Sequence, residues 1–162
     1  MAMQIGEGSA GTGAEAVRVA TVLGEREGPA GTAWATALAT PSVGHSPFVV
    51  VAKPNLPVVP LTLFVPAVGI GDHRHAELTM GAAQAGVAAA VLDLQMDDPE
   101  SDHCLLVSVW VDPSADAEEA LFENTRDACI HSLKLGAAGG PWHPYLTAVE
   151  IPENDSFRRP KR

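Results

Sequence analysis

Hydrophobic and polar positions alternate most clearly over Arg18-Val19-Ala20-Thr21-Val22-Leu23, where valine or threonine recurs before Gly24, and the run predicts a strand. Ahead of it, residues 6–13 (GEGSAGTG) hold four glycines and read as a glycine-rich turn or loop. From Pro29 to Leu38 the spacing becomes helical: Ala33, Trp34, Ala37 and Leu38 fall on one side, Pro29 suits a first turn, and Pro41 and Gly44 end the element. The unbroken apolar run from Phe48 to Ala52, between Pro47 and Pro54, predicts a buried strand.

Prolines at 54, 57, 60 and 66 exclude a regular central strand across that stretch. Within it, Leu61 to Val65 is expected to pair at a sheet edge, and Val68 to Ile70 to form another short strand. Strong helix formers run from Ala76 to Leu94, with Leu78, Ala82, Ala85, Ala89 and Leu92 expected on one packed side. The acidic stretch 97–102 is a loop, and Leu105 to Val111 (LLVSVWV) is a strand. A second long helix is expected from Pro113 to about Leu135, stopped by Gly136. Strands alternating with helices imply an α/β chain of the α+β kind, a two-layer sandwich with one sheet under two or three helices. Residues 1–139 make one domain on this reading, and 140–162 an irregular C-terminal extension.

Composition narrows the function. The chain has 162 residues, 46% of them hydrophobic, enough for a core without disulfides or a structural metal. Ten Lys+Arg against twenty Asp+Glu give a formal charge of -10, which disfavours non-specific binding to nucleic acid or anionic membrane. The terminal basic group Arg158, Arg159, Lys161 and Arg162 reads as a solvated tail. Cys104 and Cys129 lie far apart in apolar stretches and read as reduced core residues. No charged-then-apolar leader opens the sequence and no apolar run is long enough to span a bilayer, so a cytoplasmic protein is expected.

Local motifs carry little chemistry by themselves. Gly6-Glu7-Gly8-Ser9-Ala10-Gly11 matches GxGxxG, but a strand-like segment follows it where a dinucleotide site needs a helix. Asp72-His73-Arg74-His75 has a spacing that ligates a metal only if extended and joined by a third ligand such as His45; it reads instead as a polar helix start, with Asp72 or His73 near the cap. Ser46 and Ser108 lack a nucleophile-elbow context, and the aromatic residues are too scattered for base stacking.

A larger pattern is more specific. Ile5-Gly6-Glu7, Gly24 with Pro29, Gly44-His45-Ser46-Pro47 and Ala52-Lys53-Pro54-Asn55-Leu56-Pro57 come in one order. Gly81-Ala82-Ala83-Gln84, Gly86-Val87-Ala88 and Leu106-Val107-Ser108-Val109-Trp110 continue it. Over about Ile5 to Gly136 the chain resembles the formaldehyde-activating enzyme family. The resemblance implies a subunit of the ribosomal-protein-S5-domain-2-like type, a homo-oligomer (a pentameric ring in known members), and a site between subunits. It also implies condensation of formaldehyde with tetrahydromethanopterin, with a histidine as general acid.

Aligned on those anchors, the family's catalytic histidine falls on Arg18 and its partner aspartate on Ala20. The pterin-contacting leucine falls on Val49, the lysine on Ala67 and the threonine on Gly69, while the glutamine is kept as Gln84. A guanidinium with a pKa above about 12 cannot cycle a proton near neutrality, yet it holds carboxylates well. The expectation is therefore carbon–nitrogen lyase or condensation chemistry on a small aldehyde, imine or other anionic substrate. Arg18 would orient the substrate, Val49 and Gln84 would bind it, and His45 or His75 would supply the proton. No cofactor is expected, tetrahydromethanopterin entering only through the resemblance. The alternative is a non-catalytic binding or carrier protein for a small metabolite.

Overall fold

A computed structural model describes residues 2–96, 101–139, 149 and 152–154. The elements are β1 (Gln4–Ala10), β2 (Val17–Glu25), α1 (Pro29–Ala39), β3 (Phe48–Val49), β4 (Val51–Lys53), β5 (Leu56–Pro57), β6 (Leu61–Pro66), α2 (His73–Leu78), α3 (Gln84–Asp93), β7 (His103–Val111) and α4 (Glu118–Ala138). Five strands form one sheet in the order β1-β2-β7-β6-β3, and β4 and β5 make a separate hairpin. Within the large sheet β6 runs parallel to β7, and the other pairs are antiparallel. The fold class is α+β, as expected.

The alternation in β2 and β7 does what the pattern requires: Val17, Val19, Thr21 and Leu23 are buried on one side, matched by Leu105, Val107, Val109 and Val111. That side is covered by α3 and α4, and its core takes in Phe64, Leu78, Val87, Val91, Leu121 and Cys129. Helix α1 packs on the opposite side, at one end of the sheet, where Gly24 lets Ala30 approach. The described part of the acidic stretch is Ser101-Asp102, and residues 97–100 lie outside the described residues, as does most of the expected C-terminal extension.

Several expectations need correction. The glycine-rich opening is not a loop over its first half but an edge strand, β1. Its glycines serve a close approach: a Cβ on Gly6 would lie 1.8 Å from the Ser132 carbonyl oxygen, and one on Gly8 2.2 Å from that of Ala128. The run from Phe48 to Ala52 is not one buried strand. Val50 alone in it is fully buried, and the chain leaves the main sheet there to enter the β4–β5 hairpin. Strand β6 is not an edge; it lies between β7 and β3. Val68 to Ile70 is not a strand.

The helix expected from Ala76 begins at His73, capped by Asp72, whose carboxylate accepts from the His75 amide at 2.9 Å. It then passes through a π turn, Thr79–Ala83, before continuing as α3. The extra residue shifts the buried side, so Ala83, Val87, Ala90 and Val91 are buried while Leu92 is 49% exposed. Helix α4 starts at Glu118, not Pro113, because Asp112 folds the chain into a turn by accepting from both the amide and the hydroxyl of Ser114. Glu15 then accepts from the amides of Asp116 and Ala117, at 3.0 and 3.1 Å.

Candidate active site

The sheet register decides which side chains share the uncovered part of the sheet. Arg18 stands opposite Ser9 on one side and Trp110 on the other; Ala20 stands between Glu7 and Ser108. All six project away from α4, because the intervening positions of β2 and β7 belong to the covered core. Together with Ala67, the residue after β6, they outline a shallow depression of about 220 Å³ lined by Glu7, Arg18, Ala20, Ala67, Ser108 and Trp110. The guanidinium carbon of Arg18 lies 5.5 Å from the Trp110 ring centroid, a cation–π contact that holds the side chain over the sheet. Ala67 is anchored by its amide, which donates to the Val109 carbonyl at 2.8 Å.

The other candidates divide. His45 sits beside this region: its Nδ1 is 2.8 Å from the Pro66 carbonyl, the residue before Ala67, so Nδ1 carries the hydrogen and Nε2 is left as an acceptor. Gly69 lies near that Nε2, 3.8 Å from where its Cβ would be. Val49 is on the same side of the sheet by register, through Leu63 and Leu106, but three strands away from β2, roughly 14 Å at ordinary strand spacing. His75 is buried under the far end of β7. It accepts from the Gly71 amide at Nδ1 and donates from Nε2 to the Val111 carbonyl, so both ring nitrogens are engaged within the fold.

Gln84 is likewise committed. Its side-chain oxygen accepts from the Val51 amide at 3.0 Å and its nitrogen donates to the Val51 carbonyl at 3.3 Å, so it clamps the point where the chain turns from β3 into β4. Neither partner could be read from the sequence, since both residues bond to backbone groups. The reading also missed Glu7, Ser108 and Trp110 as neighbours of Arg18; their positions at every second residue of β1 and β7 were the available signal.

Among the described residues no group of three or more His, Cys, Asp or Glu side chains is arranged to hold a metal. His73 pairs with Glu77 at 3.1 Å. Both cysteines are free and buried; burial pushes the Cys129 thiol up to about 12 and raises that of Cys104, against the lowering effect of Arg26. A larger groove of about 400 Å³ runs past Gly81, Ala85 and Phe122, but Arg74 pairs with Glu77 and Glu118 on its rim. Those partners raise the Arg74 pKa further, Glu118 most. No described helix is long and apolar enough to cross a membrane.

A family model described as formaldehyde-activating enzyme matches residues 5–152. The bifunctional enzyme Fae/Hps of Methanosphaera stadtmanae is 38% identical over 136 residues, covering 81% of this chain and 34% of its own length. The protein of the same name from Archaeoglobus fulgidus is 36% identical over 146 residues, covering 87% of this chain and 37% of its own. That from Methanosarcina barkeri is 35% identical over 143 residues, covering 85% and 36%. The chain thus spans about a third of the length of these curated relatives.

Proposed function

This chain belongs to the formaldehyde-activating enzyme family, and on that premise we propose that it makes or breaks a carbon–nitrogen bond between an amine and a small anionic aldehyde. The reading rests on one observation: Arg18, Ala20 and Ala67 line a single depression. The resemblance gives these three positions to the catalytic histidine, its aspartate and a lysine, so the replacements fall together. An arginine stays charged through the working pH range, which removes acid catalysis from that position. Its planar fork suits a carboxylate, and it steadies an oxyanion as a carbonyl is attacked.

Ala20, Ala67 and Gly69 offer a pterin no polar side chain, which argues against tetrahydromethanopterin as the preferred partner. Gln84, already bonded to Val51, supports the wall of the fold and is not available to the substrate without breaking that clamp. The depression is open on one side, and a second copy in a homo-oligomer would close it.

The test compares two reactions in the purified protein: formaldehyde with tetrahydromethanopterin, and glyoxylate with methylamine. Acceleration of the second only is the expected result. Acceleration of the first above background in the unmodified protein, unchanged in Arg18→His, would show that the family reaction persists with another acid. Saturable glyoxylate binding without turnover would make the protein a carrier.

A further inference from the structure

Given the condensation chemistry proposed above, on which this rests, we infer that Glu7 is the catalytic residue that moves the proton, in the place left by the family's imidazole. Among the side chains of the depression its carboxylate is the one base: Arg18 stays protonated, the Trp110 indole only donates, and the Ser108 hydroxyl is a weak acid that serves as a hydrogen-bond donor. Position supports the role. Glu7 stands directly across from Ala20, with Ser108 across from Ala20 on the other side. Ala20 therefore leaves a gap about 10 Å wide between the Cα atoms of Glu7 and Ser108, at two strand spacings.

Arg18 is the diagonal neighbour of Glu7, roughly 7–8 Å away at Cα and within reach of both side chains through a small molecule. Glu7 makes no hydrogen bond or ion pair with any described residue. His75, the alternative proton carrier from the sequence, is buried and engaged at both nitrogens.

The chemistry balances without any further reagent. A primary amine attacks the aldehyde carbon; the new N–C bond forms as the C=O π pair moves onto oxygen, which Arg18 and Ser108 steady. Glu7 takes one proton from nitrogen and returns it to that oxygen, giving the carbinolamine. In the second half the nitrogen lone pair forms the C=N bond and expels the hydroxyl. Glu7 takes the remaining N–H proton and delivers it to the departing oxygen, so water leaves and Glu7 ends as the carboxylate it began as. The substrate class is then a primary amine with an aldehyde whose carboxylate lies toward Arg18.

The experiment follows imine formation from glyoxylate and methylamine with the full chain. Glu7→Gln should lower kcat by about 100-fold, the low end for loss of a general acid–base group, with KM for glyoxylate within about two-fold. Glu7→Asp should lie between, and Arg18→Ala should raise KM instead. Since Glu7 is exposed on an edge strand, circular dichroism and thermal melting should be unchanged in Glu7→Gln. Catalysis that survives Glu7→Gln overturns the role of Glu7 alone, as does a loss confined to His45→Gln. A background rate in the unmodified protein overturns the condensation reading and this role with it.

Discussion

The two sides of the central sheet are made by the same strands and obey different rules. On the covered side, Gly6 and Gly8 admit the backbone of α4, Thr21 and Ser132 share a buried hydrogen bond of 2.8 Å, and Val19, Val107 and Val109 are fully packed. On the open side the alternate residues of those strands include a carboxylate, a guanidinium, an alanine and a hydroxyl around a depression. A change on the first side disturbs packing that nothing nearby can relax; a change on the second alters chemistry and leaves the scaffold standing. That division accounts for a family framework that persists while the residues at its reactive positions differ.

The comparison breaks most visibly at Gly6. Gly6→Val places a branched side chain where even a Cβ collides with Ser132, and should cost about 3 kcal/mol or more, beyond ordinary overpacking; a urea midpoint equal to that of the unmodified protein would erase the distinction. Thr21→Val should cost about 1–3 kcal/mol by stranding the Ser132 hydroxyl, with much of it recovered in the double variant with Ser132→Ala.

The two thiols sharpen the contrast further. Cys129 lies in the covered core, and its folded pKa of about 12 stands above the ordinary 9.0. A raised folded value means stability is complete below 9.0 and declines as pH rises toward 12, at about 1.4 kcal/mol per unit. Alkaline denaturation should be delayed in Cys129→Ala relative to its own neutral stability, and iodoacetamide should label Cys104, beneath α1, before Cys129. The smallest effect on folding belongs to Arg18→Ala, within about 0.5 kcal/mol, though glyoxylate binding should weaken at least about ten-fold. An equal loss of stability would place Arg18 among the structural residues.

Legibility in the sequence followed how much each element depends on its own side chains. Strands β2 and β7 and helix α1 carry their period openly. Strand β1 does not, because glycines answer to the backbone of a helix more than a hundred residues away. The start of α4 was hidden by the turn at Asp112, and the shifted packing of α3 by a π turn that has no composition signal. At the site, Arg18, Ala20 and Ala67 came from resemblance, while Glu7, Ser108 and Trp110 needed the strand register. His45 was found beside them, but the tasks of His75 and Gln84 lie in bonds to main-chain atoms.

That π turn also sets what the gene can lose. Met80 and Gly81 are exposed and touch little, so a one-codon deletion there looks harmless. Removing one residue would restore a regular helix, leave His75 and Leu78 seated, and rotate everything after it by about 100°. Gln84 would swing off Val51 and the buried side of α3 would turn outward. The least constrained side chains of this helix therefore mark a place where its length is fixed.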